Sequence, residues 1–147
     1  MSPMKVLIEN EAGSLTKHFY DEVSFKLLKT KTVLRAYPFP YGFIIGTRSG
    51  DGMCLDCFLL TRDVIESGEV LDAEPIGMFE QIEDGEEDPK ILAVRPGEHF
   101  ELTPAVEHTF RDFVLNVFAD VPGKRMSVGR FLGKEAALRL IEASRTD

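Results

Sequence analysis

The chain has 147 residues, 44% hydrophobic and 29% charged, with two cysteines and a formal net charge of −8. That length predicts one domain over residues 1–147, long enough to bury a core without disulfide or metal staples. The composition is that of a soluble globular fold. No run reaches the roughly 18 apolar residues of a membrane span, and Met1–Glu9 lacks the apolar stretch of a secretory signal. Two cysteines exclude a disulfide scaffold and fit a reducing cytosol. The excess of 25 acids over 17 bases speaks against nucleic acid as a partner, because such binders draw most of their affinity from basic contacts to phosphate. If so acidic a chain holds a polyanion, a divalent metal among carboxylates is the obvious source of positive charge.

The first hundred residues read mostly as strands. Lys5–Glu9 is a β-prone run ending at Asn10, ahead of the turn-like Ala12-Gly13-Ser14. His18–Tyr20, Phe25–Leu28 and Thr32–Leu34 follow as short pieces. Tyr41–Ile45 is apolar, with Pro38 and Pro40 fixing its entry, and Leu55–Leu60 is a further strand. Val70–Ile82 is long and interrupted at Pro75 and Gly77, which predicts a bend or bulge. Six of the nine residues from Glu80 to Asp88 are acidic, and the plain reading is a solvated turn capping a hairpin into Lys90–Val94. The period then changes. Thr103 is suited to an N-cap and Pro104 to the first helical position. Val106, Phe110, Phe113, Val114 and Val117 make one apolar helical face, with Pro122-Gly123 as the expected stop. Arg125–Leu132 reads as a strand and Gly133–Ser144 as a second helix facing Ala137, Leu140 and Ile141 inward. Many short strands followed by two helices predict an α+β fold, a curved sheet or small barrel with helices packed on it.

Carboxylates are the leading chemical signal. Asp51 and Asp56 flank a glycine-bearing turn, and Asp56 alternates with the core-facing Leu55 and Cys57. An acid just inside an apolar strand is costly unless paired or metal-bound. Glu9 closes the first strand, and the acidic run from Glu83 to Asp88 leads into Lys90. Carboxylates from separate loops suit Mg²⁺ or Mn²⁺. Tyr37 and Tyr41, in a stiff proline-rich segment, either present phenols to phosphate oxygens or pack as aromatic core. Cys54 and Cys57 have C-x-x-C spacing but lack partners for a zinc site, and they open a strand rather than a helix. His18, His99 and His108 show no nucleophile–base pattern.

The order of these pieces resembles the soluble family I inorganic pyrophosphatases from about Glu9 to Ile141. That family carries D-G-D-P-x-D after Y-P-x-N-Y-G-(F/Y)-I-P. Here the segments are Tyr37-Pro-Phe-Pro-Tyr-Gly-Phe-Ile-Ile45 and Asp51-Gly-Met-Cys-Leu-Asp56. Gly68-Glu-Val70, Glu74-Pro-Ile-Gly77, Asp88-Pro-Lys90 and Ile91-Leu-Ala-Val94 follow in the family's order. The resemblance implies a small five-stranded OB-like β-barrel with additional strands and two C-terminal helices. It implies metal ligands at Asp51, Asp56, Glu83 and Asp88, and catalytic roles for Glu9, Lys17 and Tyr41. Lys17, Lys29, Tyr37, Tyr41 and Lys90 would bind substrate, with Lys29 in place of an arginine. The implied cofactor is Mg²⁺ or Mn²⁺, the substrate pyrophosphate or another small phosphoanhydride, the assembly a homo-oligomer, and the compartment cytoplasmic, with no nucleic-acid or membrane partner. Departures are specific. Met53 replaces the aspartate proposed as general base, Cys54 the following proline, and Pro40 an asparagine. Phe19 replaces an acid, and Val117-Phe118 replace a Tyr-Lys pair. Two readings follow, a metal-dependent pyrophosphate hydrolase and a non-catalytic binding or interaction module on the same fold. A thiol or soft-metal protein built on Cys54 and Cys57 is the third.

Overall fold

Strand pattern and turn chemistry set the elements of the computed structural model, which describes residues 4–146. Met1–Pro3 and Asp147, included in the expected single domain, lie outside the described residues. The strands are β1 (Met4–Asn10), β2 (Thr16–Tyr20), β3 (Leu27–Thr32), β4 (Tyr41–Ile44), β5 (Asp56–Leu59), β6 (Val70–Glu83), β7 (Glu86–Glu87), β8 (Lys90–Val94) and β9 (Met126–Gly133). Two helices, α1 (Pro104–Asn116) and α2 (Lys134–Ser144), flank β9.

Strands pair in the order β1-β4-β5-β8-β6, and β6 returns to β1, so five strands close into a ring. All contacts of the ring are antiparallel except β5–β8. This is the expected small OB-like barrel. β6 closes it by serving β1, β8 and β9 in turn, with register breaks between Pro75 and Gly77 and between Phe79 and Gln81. The interruption read from Pro75 and Gly77 is thus a bend that lets one long strand wrap. Close approach of β1 and β4 requires Gly42, where a Cβ would stand 1.7 Å from the Leu7 carbonyl oxygen.

Alternation along the strands divides the interior in two. Ile8, Ile44, Leu55, Cys57, Met78 and Ile91 share one cluster with Ala137 and Ile141 of α2. Phe58, Phe79, Leu92 and Val94 point the other way and pack with Phe110, Phe113 and Val114 of α1. Thr103 caps α1 through its side chain, which accepts from the Val106 N–H, with Pro104 in the first turn, as expected. The helix ends at Asn116, however, short of Pro122-Gly123. Val117 is still helical and buried at its C-cap, and turns carry the chain onward. The acidic run does cap a hairpin. Asp84 (φ 52°) and Gly85 (φ 85°) join β6 to β7 in a two-residue turn with both φ positive, the combination that suits strand twist.

β2 and β3 form a separate two-stranded ribbon. β3 is one strand where two pieces were expected, because the Asp21 side chain binds the Val23 and Ser24 N–H groups and delays the return strand to Leu27. Among the described residues no helix is long and apolar enough to cross a membrane.

Candidate active site

A cavity of about 210 Å³ opens where the ends of β1, β5 and β8 meet the β2–β3 ribbon and the end of α1. β-Pairing places its central charges. Asp56 and Lys90 are direct neighbours across the parallel β5–β8 contact. The Lys90 Nζ donates to Asp56 Oδ2 at 2.5 Å, to Asp88 Oδ2 at 2.9 Å and to the Tyr41 hydroxyl at 3.1 Å. Its side chain is only 5% exposed. Burial opposes charge on this lysine, but Asp56 and Asp88 outweigh it and hold the ammonium above the ordinary lysine value. At Asp56 burial lifts the carboxyl above the usual range, and Lys90 works against that lift.

Glu9 enters through a β-bulge. Ile8 pairs with Gly42 and Asn10 with Tyr41, which leaves Glu9 as the extra residue. Its carboxylate accepts the Tyr20 N–H at 3.2 Å. Burial raises its pKa to about 7, against the pull of that hydrogen bond. Tyr37 and Tyr41 are both buried, their ring centroids 5.4 Å apart. Burial pushes both phenols upward, so they remain O–H donors at neutral pH. The rings belong to the aromatic core, and both residues also line the cavity.

Nine of the ten residues singled out from the sequence line this one cavity. Asp51, Glu83 and Lys17 complete it beside the six just described. Lys29 is the exception: it is exposed on β3, its Nζ 4.9 Å from the Phe19 ring centroid, and it does not line the cavity. Asp51 Oδ1 is engaged by the Met53 N–H at 2.8 Å and by the Ser49 hydroxyl. Glu83 meets Lys124 at 3.6 Å. As the side chains lie, no three acidic, histidine or cysteine groups among the described residues stand together closely enough to hold a metal ion. Lys90 fills the space between two of the acids.

Sequence reasoning missed Glu22. It lines the cavity from the β2–β3 turn, and its two carboxylate oxygens accept the Cys54 N–H at 3.0 and 3.2 Å. No spacing signal could have found it, because the contact spans 32 residues and depends on the ribbon folding over the Asp51–Asp56 turn.

The thiols stand apart from this chemistry. Both are free, Cys57 buried and Cys54 partly so. Burial, aided by Glu22, lifts Cys54 to about 11, and burial pushes Cys57 up as well. Thiolates are the reactive form. Both cysteines should therefore react slowly with a disulfide reagent at pH 7.5 and promptly in denaturant. Fast reaction at both in native protein would support the thiol reading instead.

Fold and cavity define an OB-like barrel protein with an open site that joins carboxylates with buried lysine and phenol. A sequence profile described as inorganic pyrophosphatase matches residues 6–147. The inorganic pyrophosphatase of Geobacillus stearothermophilus is 30% identical over 148 aligned positions, spanning 95% of this chain and 90% of the relative. That of Halalkalibacterium halodurans is 31% identical, over 95% and 91%. Among solved structures, an inorganic phosphatase from Anaplasma phagocytophilum superposes with TM-score 0.87 at 27% identity, over 95% of this chain and 90% of that one. An inorganic pyrophosphatase from Coxiella burnetii gives 0.86 at 25%, over 97% and 93%. The chain belongs to the inorganic pyrophosphatase family.

Proposed function

We propose that this chain hydrolyses inorganic pyrophosphate to two phosphates, in the cavity lined by Glu9, Asp56, Asp88 and Lys90. The observation that carries this reading is the convergence of carboxylates, two lysines and two protonated phenols on one cavity in a member of this family. The matched span supports one functional unit over the chain.

The donor set suits a hard divalent ion. Every candidate ligand is a carboxylate, and no histidine or cysteine occurs among the described lining residues. Asp51, Asp56, Asp88 and Glu83 would hold Mg²⁺ or Mn²⁺, with Lys90 yielding its place between Asp56 and Asp88. When bound, the ion supplies charge to neutralise phosphate oxygens and lowers the pKa of water. Lys17 and Lys90 add positive charge toward the substrate. Tyr37 and Tyr41 offer O–H donors. Glu9, with its pKa near 7, can hold or release a proton at neutral pH. A reducing cytosol suits the two free thiols. A homo-oligomer suits the exposed Leu27 and Leu28 of β3.

Met53 lines the cavity with a thioether where an acid would accept a proton. Met53→Asp should raise phosphate release by about 10²-fold, the lower end of general-base assistance. Asp56→Asn should lower it at least about tenfold, the loss that even an indirect partner of a metal causes. Steady-state phosphate release at saturating Mg²⁺ measures both. No release above blank from the native protein or either variant would point to the non-catalytic module.

A further inference from the structure

The β2–β3 ribbon stands at the cavity as a flap. Its strands pair with each other, and among the described residues they share no ladder with the barrel. At the base, side chains of β1 stand in for a ladder. Asn10 Oδ1 accepts the His18 N–H at 2.6 Å, and the Glu9 carboxylate accepts the Tyr20 N–H at 3.2 Å. Two contacts return the tip, residues 21–26, to the barrel. Phe25 sets its ring 6.3 Å from that of the buried Phe43. To do so it holds a positive φ of 60°, a conformation that a bulky residue rarely adopts and that stores strain. Glu22 turns both carboxylate oxygens onto the Cys54 N–H, at 3.0 and 3.2 Å. That N–H lies in the turn between Asp51 and Asp56. The bond thus joins the segment that carries Lys17 into the cavity to the segment that carries two of its carboxylates. Proline, which the family motif has at position 54, carries no N–H. The tie is open to this chain because Cys54 stands there.

We propose that Glu22 is a positioning residue, a latch that holds the ribbon tip on the Asp51–Asp56 turn and keeps Lys17 opposite the carboxylates across the cavity. This rests on the hydrolase reading of the cavity. A carboxylate on a backbone N–H makes a charge-assisted bond, stronger than a neutral one, and this one spans 32 residues. With that bond gone, the strained Phe25 is left to hold the tip. The ribbon then opens in a larger fraction of molecules, and substrate must close it again. Apparent affinity falls in proportion to the closed fraction. Once closed, the substrate meets the same groups, so the loss is one of binding more than of turnover. The role needs an acceptor oxygen on Glu22 and a donor at position 54, and it needs no charge from Glu22 in the cavity.

Backbone amide exchange tests the latch without turnover. In Glu22→Ala the Cys54 amide should exchange about tenfold faster, the order that one hydrogen bond to a charged group gives. The Leu55 amide, held by the Thr47 hydroxyl at 3.0 Å, should keep its rate. In steady-state phosphate release at saturating Mg²⁺ the same variant should raise KM for pyrophosphate about tenfold, with the effect in KM and not in kcat. Cys54→Pro removes the donor and leaves the carboxylate. It should reproduce the kinetic change, and the double variant should add nothing to it. Glu22→Gln keeps an acceptor oxygen and should fall between, at about threefold, since a neutral bond is about half as strong. Unchanged exchange at Cys54 in Glu22→Ala would overturn the latch. So would Glu22→Gln matching Glu22→Ala while Cys54→Pro matches the native protein, which would make Glu22 a charge in the cavity. Calorimetric affinity for imidodiphosphate, which resists hydrolysis, is measured alongside at millimolar Mg²⁺. A tenfold loss of that affinity in Glu22→Ala, with no release from the native protein, leaves the latch standing and refutes the hydrolase reading. Release with unaltered KM and affinity does the reverse, and a native protein that neither binds the analogue nor releases phosphate overturns both.

Discussion

Glu9→Gln should make the protein more stable above neutral pH and far less active. In the unfolded chain this carboxyl ionises near 4.5, and in the fold near 7, because burial outweighs the Tyr20 hydrogen bond. Between those values the folded state holds the extra proton. Stability therefore falls as pH rises through that window, and the full penalty applies above it. Glutamine keeps an oxygen for the Tyr20 N–H and carries no charge to desolvate. At pH 8 without metal the variant should gain about 2 kcal/mol, allowing for solvent at a partly exposed side chain. At pH 4 the two proteins should unfold alike. Activity should drop by about 10²–10⁴-fold, the range for losing a positioned acid or base. Denaturant titrations at pH 4, 6 and 8 with phosphate-release assays are the measurements. Equal stability at pH 8 would show that Glu9 is not held against its charge.

Lys90→Met should have the largest effect on stability. The ammonium is almost fully buried and satisfies Asp56 and Asp88 together. Its removal leaves two carboxylates facing each other with little water to separate them. Breaking such a pair typically costs about 3–5 kcal/mol. The native contribution is present well below the ordinary lysine pKa and is lost only as pH rises through the higher folded value. The deficit of the variant should therefore be full at pH 7.5 and shrink in acid, as the two carboxylates protonate. Millimolar Mg²⁺ should restore the variant more than it stabilises the native protein, because a cation can take up the place the ammonium left. Urea unfolding with and without Mg²⁺ decides this. An equal shift in both proteins would mean that the ion does not bind at Asp56 and Asp88.

Much of this was legible in the residues themselves. Alternation at Leu55, Asp56 and Cys57 gave the strand and its two faces, and Asp56 does point away from the core that holds Leu55 and Cys57. Thr103-Pro104 marked the start of α1, a local event within one turn. Its end was not legible from Pro122-Gly123, because packing of Val117 and the turns after it stops the helix earlier. Motif order brought nine of ten residues to one cavity. Lys29 shares the ribbon face of its partner Phe19 but rests its ammonium over that ring instead of lining the cavity, a side-chain placement the motif does not encode. Glu22 was invisible for the same kind of reason. Its partner, the Cys54 N–H, is a backbone group, and backbone groups carry no residue-type signal.

The parallel β5–β8 contact has a consequence for how the site comes into being. Asp56 and Lys90 are 34 residues apart, and the intervening β6 must bend through its own pairings before β8 can lie beside β5. Such long-range closure is entropically late. The central charge pair therefore forms only once β8 has taken its place beside β5. Detachment of β8 by itself would separate the ammonium from Asp56 while leaving it beside Asp88 on its own segment. Amide hydrogens of Ile91 and Ala93, which face β5, would lose protection in that same opening, so exchange at these two positions reports directly on the fraction of molecules in which the catalytic cavity exists.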